Sequence, residues 1–207
     1  MLLKSLSITL AALSGALAFP IVDRQCVCDP PGIEIYNPDN VYFSRGANGQ
    51  FSVQWNNPQP FIIGGGWNPG TSSRKIGFST TWSAEDTPSW VGIFGMTYNP
   101  VTEYYVVETY GLFTPAWDSP KLATFESDDG TYDIHHITRT NQTGNSPTLN
   151  QWISVRQEKR SNGTVTIENH FNAWSKQGIR LGVQDFQGVA IGVGSGSGYA
   201  TLNVFNG

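Results

Sequence analysis

The chain alternates apolar and polar side chains over one strand-length run after another, each closed by a turn cluster. The clearest runs are Gly49–Asn56, Trp90–Met96, Glu103–Tyr110, Gly130–Ile137, Gln151–Arg156, Thr164–Ile167 and Ala200–Phe205. Between them stand Asn57-Pro-Gln-Pro60, Asn68-Pro-Gly70, Ser127-Asp-Asp-Gly130 and Ser161-Asn-Gly163. A two-residue period marks strands with one face buried, and many short strands at close spacing predict an all-β sandwich or jelly roll. Only Glu168–Gly178 reads as helix, with Phe171 and Trp174 on one face and Gly178 as a natural C-terminal stop.

The N-terminus has a different character. Lys4, the apolar Leu6–Leu13 and the small-residue run Ala16-Leu-Ala18 form the pattern of a secretory signal over residues 1–18. Residues 19–33 include Asp29-Pro-Pro-Gly32, lack periodicity and read as a leader or linker, leaving 34–207 as one domain. Export to the extracellular medium, with no membrane span, is therefore expected.

Composition narrows the partners. The net charge is −4, only 14% of residues are charged, and 7 Trp, 8 Tyr and 11 Phe are present. Nucleic-acid binding calls for a basic stripe that this sequence lacks; an aromatic binding surface on an extracellular β-protein suits it better. Cys26 and Cys28 are one residue apart, which strains a mutual bridge. Free thiols, a tight ring and a link to another chain all remain open. His135, His136 and His170 show no metal spacing relative to these cysteines, so neither a metal nor a cofactor is expected. Asn141-Gln-Thr143 and Asn162-Gly-Thr164 are sequons for N-linked glycans.

One strand carries the chemistry. In Glu103–Tyr110, strand parity puts Val101, Glu103, Tyr105 and Val107 on one face, and Thr102, Tyr104, Val106 and Glu108 on the other. Glu103 thus stands among aromatics on a sheet surface. Burying such a carboxylate costs free energy unless it is hydrogen-bonded, so it is either a working group or a relic held by its neighbours.

Taken in order, several segments resemble glycoside hydrolase family 11, the endo-β-1,4-xylanases. They are Phe51-Ser-Val-Gln-Trp55, Gly66-Trp-Asn-Pro-Gly70, Asn99-Pro100 with Glu103-Tyr-Tyr-Val-Val-Glu108, Ser127-Asp128 with Gly130-Thr-Tyr-Asp-Ile134, Trp152 with Ser154-Val-Arg156, and Asn169-His-Phe-Asn-Ala-Trp174. The resemblance runs from about Tyr42 to the C-terminus. It implies a jelly roll of two twisted antiparallel sheets, one helix packed on the outside, and a cleft across the concave sheet. It also implies a retaining pair of glutamates about 5–5.5 Å apart. The nucleophile position falls on Glu103, and Tyr105, Arg139 and Gln151 are retained beside it.

The acid/base position falls on Gly192, within Val189-Ala-Ile-Gly-Val-Gly194. Beyond Glu168 the only carboxylate is Asp185, seven residues upstream and on the opposite face by parity. A polar residue that touches the family's acid/base maps to Pro60. Two tyrosines at the cleaved bond map to Phe94 and Phe186, and a cleft tryptophan maps to Met96. The thumb loop is replaced by Asn141–Pro147. These departures cluster in the cleft, so the expectation is a monomeric, catalytically impaired pseudoenzyme. Its expected partners are xylan or a related plant cell-wall polysaccharide, bound weakly, or a xylanase inhibitor or receptor protein. The rival reading is an active retaining endo-xylanase using Glu103 with a non-standard acid such as Asp185 or Glu168. A lectin-like module needs an intact aromatic platform, against which the lost tryptophans count: the one mapped to Met96 and a second, near the start of the family's fold, with no counterpart in Glu34–Phe43.

Overall fold

The computed structural model describes residues 32–33, 39–139 and 149–207. In chain order the elements are β1 (Gly32–Ile33), β2 (Val41–Arg45), β3 (Gln50–Asn56), β4 (Phe61–Trp67), β5 (Lys75–Ser83), β6 (Ser89–Tyr98) and β7 (Thr102–Tyr110). There follow β8 (Ala123–Ser127), β9 (Gly130–Arg139), β10 (Leu149–Arg156), β11 (Asn162–Thr166), α1 (Ile167–Ser175), β12 (Val183–Val193) and β13 (Ser197–Asn206). Two sheets result, an eight-stranded one ordered β1-β4-β12-β6-β7-β10-β9-β8 and a five-stranded one ordered β11-β5-β13-β3-β2. All pairings are antiparallel except β7 with β10, which run parallel. The two residues of β1, at the end of the expected leader, pair with Gly64 and Gly65 of β4.

The main core lies between the sheets and follows strand parity. Phe51, Val53 and Trp55 of β3 meet Phe61 and Ile63 of β4, Val91 and Ile93 of β6, and Tyr104 and Val106 of β7. Trp55, Trp67, Trp152 and Trp174 are all buried there, so none of the four is a sugar platform. Helix α1 packs Phe171 and Trp174 against Tyr104, at 5.0 and 6.1 Å between ring centroids, from the side opposite Glu103.

Asp128, in the turn between β8 and β9, fixes the start of this helix. Its carboxylate accepts bonds from the Thr166 amide (2.9 Å) and hydroxyl (2.7 Å). Among the described residues no helix is long and apolar enough to cross a membrane.

A second cluster lies on the other face of the eight-stranded sheet. Trp90, Phe94 and Met96 of β6, Tyr105 and Val107 of β7, Ile153 of β10, Phe186 and Ala190 of β12, and Ala116 of the β7–β8 connection pack together. Two bulges shape it, between Val91 and Gly92 opposite β7 and between Gln184 and Gln187 opposite β6. A bulge sets two residues against one and breaks alternation. Counting by twos from Gly192 to Asp185 therefore crosses an irregularity, and the parity argument applied to Asp185 does not hold.

Candidate active site

Glu103 is placed by register. Met96, Glu103, Gln151 and Ile137 form one cross-strand row on β6, β7, β10 and β9; Gly188, Phe94, Tyr105, Ile153 and His135 form the adjacent one. The Tyr105 hydroxyl donates to Glu103 Oε2 at 2.6 Å, and Gln151 Nε2 donates to the same oxygen at 2.7 Å. Gln151 Nε2 also lies 3.3 Å from the Tyr105 hydroxyl, and Arg139 Nε donates to Gln151 Oε1 at 2.8 Å. Arg139 thus orients the Gln151 amide, and Gln151 and Tyr105 together orient the carboxylate. Burial, together with the charge and hydrogen bond of Glu103, raises the Tyr105 phenol well above its ordinary pKa. The phenol therefore stays protonated and acts as the donor.

The rest of this face is apolar. Phe94 lies edge-on to Tyr105 (5.2 Å between centroids) and 6.4 Å from Phe186. Trp90 meets Tyr105 edge-on at 5.4 Å. Trp90, Phe94, Met96, Tyr105 and Phe186 are each no more than 9% exposed.

Gly192 pairs with Trp90 on one side and Ile62 on the other. A Cβ on Gly192 would overlap the Trp90 indole at Nε1, so the ring already fills the space where a side chain would start. Pro60 immediately precedes β4 and is partly buried.

The other carboxylates of these strands are engaged elsewhere. Asp185 accepts bonds from Asn68 (3.1 Å) and the Tyr98 hydroxyl (2.7 Å). Glu108 faces the main core, bonded by Tyr132 at 2.7 Å and by Arg160. His135 is held by the Ser119 carbonyl oxygen, and His136 stacks on Trp152 at 4.4 Å.

The structure thus brings Glu103, Tyr105, Gln151 and Arg139 into one hydrogen-bonded chain, with Phe94 and Phe186 on the adjacent apolar floor. Gly192 stands apart, joined to them through Trp90. Asn162 opens β11 and is exposed; Asn141 and the rest of the Asn141–Pro147 loop lie outside the described residues. Sequence reasoning missed the role of Trp90, whose contact with Gly192 depends on pairing strands far apart in the chain. It also missed the buried cluster of Glu108, Arg160, Arg156 and Tyr132. The signal was available there, since parity already put Glu108 on the core face, where a carboxylate needs partners.

A jelly roll with a hydrogen-bonded carboxylate on an aromatic sheet face is an arrangement suited to sugar chemistry. A profile of Glycosyl hydrolases family 11 matches residues 33–203, and the chain belongs to that family. It is similar to "Endo-1,4-beta-xylanase 3" of Pyricularia oryzae, at 42% identity over 80% of this chain and 71% of that one. It is also similar to "Probable endo-1,4-beta-xylanase B" of Aspergillus clavatus, at 38% identity over 81% and 76%. Among solved structures, one from a comparison of two major endo-1,4-β-xylanases of Trichoderma reesei matches with a TM-score of 0.73. Its identity is 39%, over 80% of this chain and 92% of the other.

Proposed function

We propose that this is an extracellular family 11 protein that has lost ordinary xylanase turnover: a pseudoenzyme whose concave face binds xylan weakly or is itself read by a xylanase-recognising protein. The observation that supports this reading is that a Cβ on Gly192, the residue the family resemblance assigns to the acid/base position, would meet the Trp90 indole. A general acid contributes roughly 10²–10⁴-fold to such a reaction. Pro60, Phe94 and Phe186 support the same reading, because the family resemblance assigns each to a position whose group hydrogen-bonds to the acid or the sugar.

One observation favours a second reading, an active retaining endo-xylanase with a non-standard acid. Glu103 keeps its Tyr105 and Gln151 donors, the setting of a working nucleophile. An aryl xylobioside with a dinitrophenolate leaving group separates the two, since that group departs without protonation. The proposed reading expects no Glu103-dependent hydrolysis of soluble xylan, with the aryl glycoside either inert or cleaved slowly. Glu103-dependent cleavage of both substrates at comparable efficiency establishes the second reading instead.

A further inference from the structure

Toward Gly192 the face that carries Glu103 changes character. One cross-strand row runs Ile62, Gly192, Trp90 and Tyr110 over β4, β12, β6 and β7, and no carboxylate stands in it. Ala190, two residues before Gly192, packs in the cluster on this face, and β12 keeps its register from Gln187 to Val193. A side chain at 192 would therefore project onto the same face. The first atom it would meet is Trp90 Nε1, nearer than the ring carbons Cε2 and Cζ2. The indole thus presents its N–H edge, rather than its ring face, where that side chain would begin.

Trp90 is only 7% exposed. Its N–H has no hydrogen-bond partner among the described residues, yet it is not sealed in: the enclosed, unpartnered indole nitrogens are those of Trp55, Trp82 and Trp174. A tryptophan N–H this deep ordinarily finds a partner. Here the donor is left for a group that arrives from the open face. The same ring stands edge-on to Tyr105 at 5.4 Å, and Tyr105 donates to Glu103. The N–H and the carboxylate therefore flank one tyrosine ring on an otherwise apolar floor. An indole nitrogen is a donor only and does not titrate as a carboxyl does. It can hold an ether or hydroxyl oxygen, but it has no proton to give to a departing one.

We infer that the Trp90 N–H is a ligand-binding donor. At the position the family resemblance assigns to the general acid, it holds an oxygen of a β-1,4-linked xylose chain without cleaving the bond. The inference rests on the reading of the concave face as a xylan-binding surface without ordinary turnover.

The test is a proton–nitrogen correlation spectrum of the ¹⁵N-labelled protein titrated with xylohexaose, with reducing ends counted in the same sample. Among the signals of the 7 tryptophans, that of Trp90 is identified by its loss in Trp90→Phe, which keeps a ring but has no N–H. Trp90→Tyr serves for this if the Phe variant does not fold. Added sugar should move the Trp90 indole proton downfield and slow its exchange with solvent. Folded Trp90→Phe should bind the sugar about fivefold more weakly, the worth of one neutral hydrogen bond. Backbone signals of β6, β7 and β12 that shift while the Trp90 indole stays still overturn the inference and leave the reading of the face intact. No shift anywhere overturns the inference and removes xylan as the ligand. Release of reducing ends at ordinary enzyme rates overturns the reading of lost turnover, and the inference with it.

Discussion

Gly192 has no side chain, and Trp90 has taken the space. Placing a carboxylate there therefore requires moving an indole packed against Tyr105. Forcing atoms into a filled site costs about 1–3 kcal/mol. Gly192→Glu alone should lower stability by about that amount and yield no ordinary xylanase. Recovery should need a smaller residue at 90, Pro60→Asn and at least one of Phe94→Tyr and Phe186→Tyr. Chemical denaturation and xylan hydrolysis measured on the single and combined variants check this, and full activity from Gly192→Glu alone would refute it. At this scale the Glu103 side of the site was legible in sequence. Local parity puts Glu103 and Tyr105 on one face, and the family pattern adds Gln151 and Arg139. The Trp90 contact was not legible, because residues 90 and 192 meet only through the pairing of β6 with β12.

Helix α1 carries an acid-sensitive contact. His170 is fully buried, edge-on to Tyr132 at 4.8 Å and Phe125 at 5.1 Å, and neither ring nitrogen has a hydrogen-bond partner. Burial pushes its pKa down from 6.5 to about 3, against the pull of Asp128. Below pH 6.5 the unfolded chain takes up a proton that the folded state refuses until about pH 3. The unfolded state then binds more protons, so stability falls with falling pH across that window. The loss from this group alone reaches about 3 kcal/mol by pH 4.

Asp128 acts in the same direction. Burial alone would raise its carboxyl, but the amide and hydroxyl of Thr166 and the hydroxyl of Ser127 hold it below the usual range. Its contribution is present above the unfolded pKa and is lost as pH falls through the folded one. His170→Leu should therefore flatten the acid limb of the stability curve relative to wild type, as read by denaturant unfolding between pH 7 and 4. An unchanged slope would contradict the assignment to His170. The helix itself was legible from Phe171, Trp174 and Gly178. The two bulges were not, since neither has a marker in its own strand, and the one on β12 defeated the parity argument about Asp185.

Across the whole molecule, the all-β character was legible because alternation is local, and so was the division of the Glu103 strand into its two faces. The sheet order was not, because β12 pairs with β4 and β6 although 115 and 84 residues of chain, respectively, lie between them, and the parallel β7–β10 pair leaves no trace in either strand's pattern. The fold presents an aromatic floor with one oriented carboxylate. The central claim is that the family's fold persists here without its turnover. It is tested most directly by reducing-end release from soluble xylan by purified protein, beside Glu103→Gln prepared identically to exclude a contaminating enzyme. The account predicts indistinguishable traces, far below the roughly 1–10³ per second of ordinary enzymes. Turnover within that range, abolished by Glu103→Gln, would contradict it.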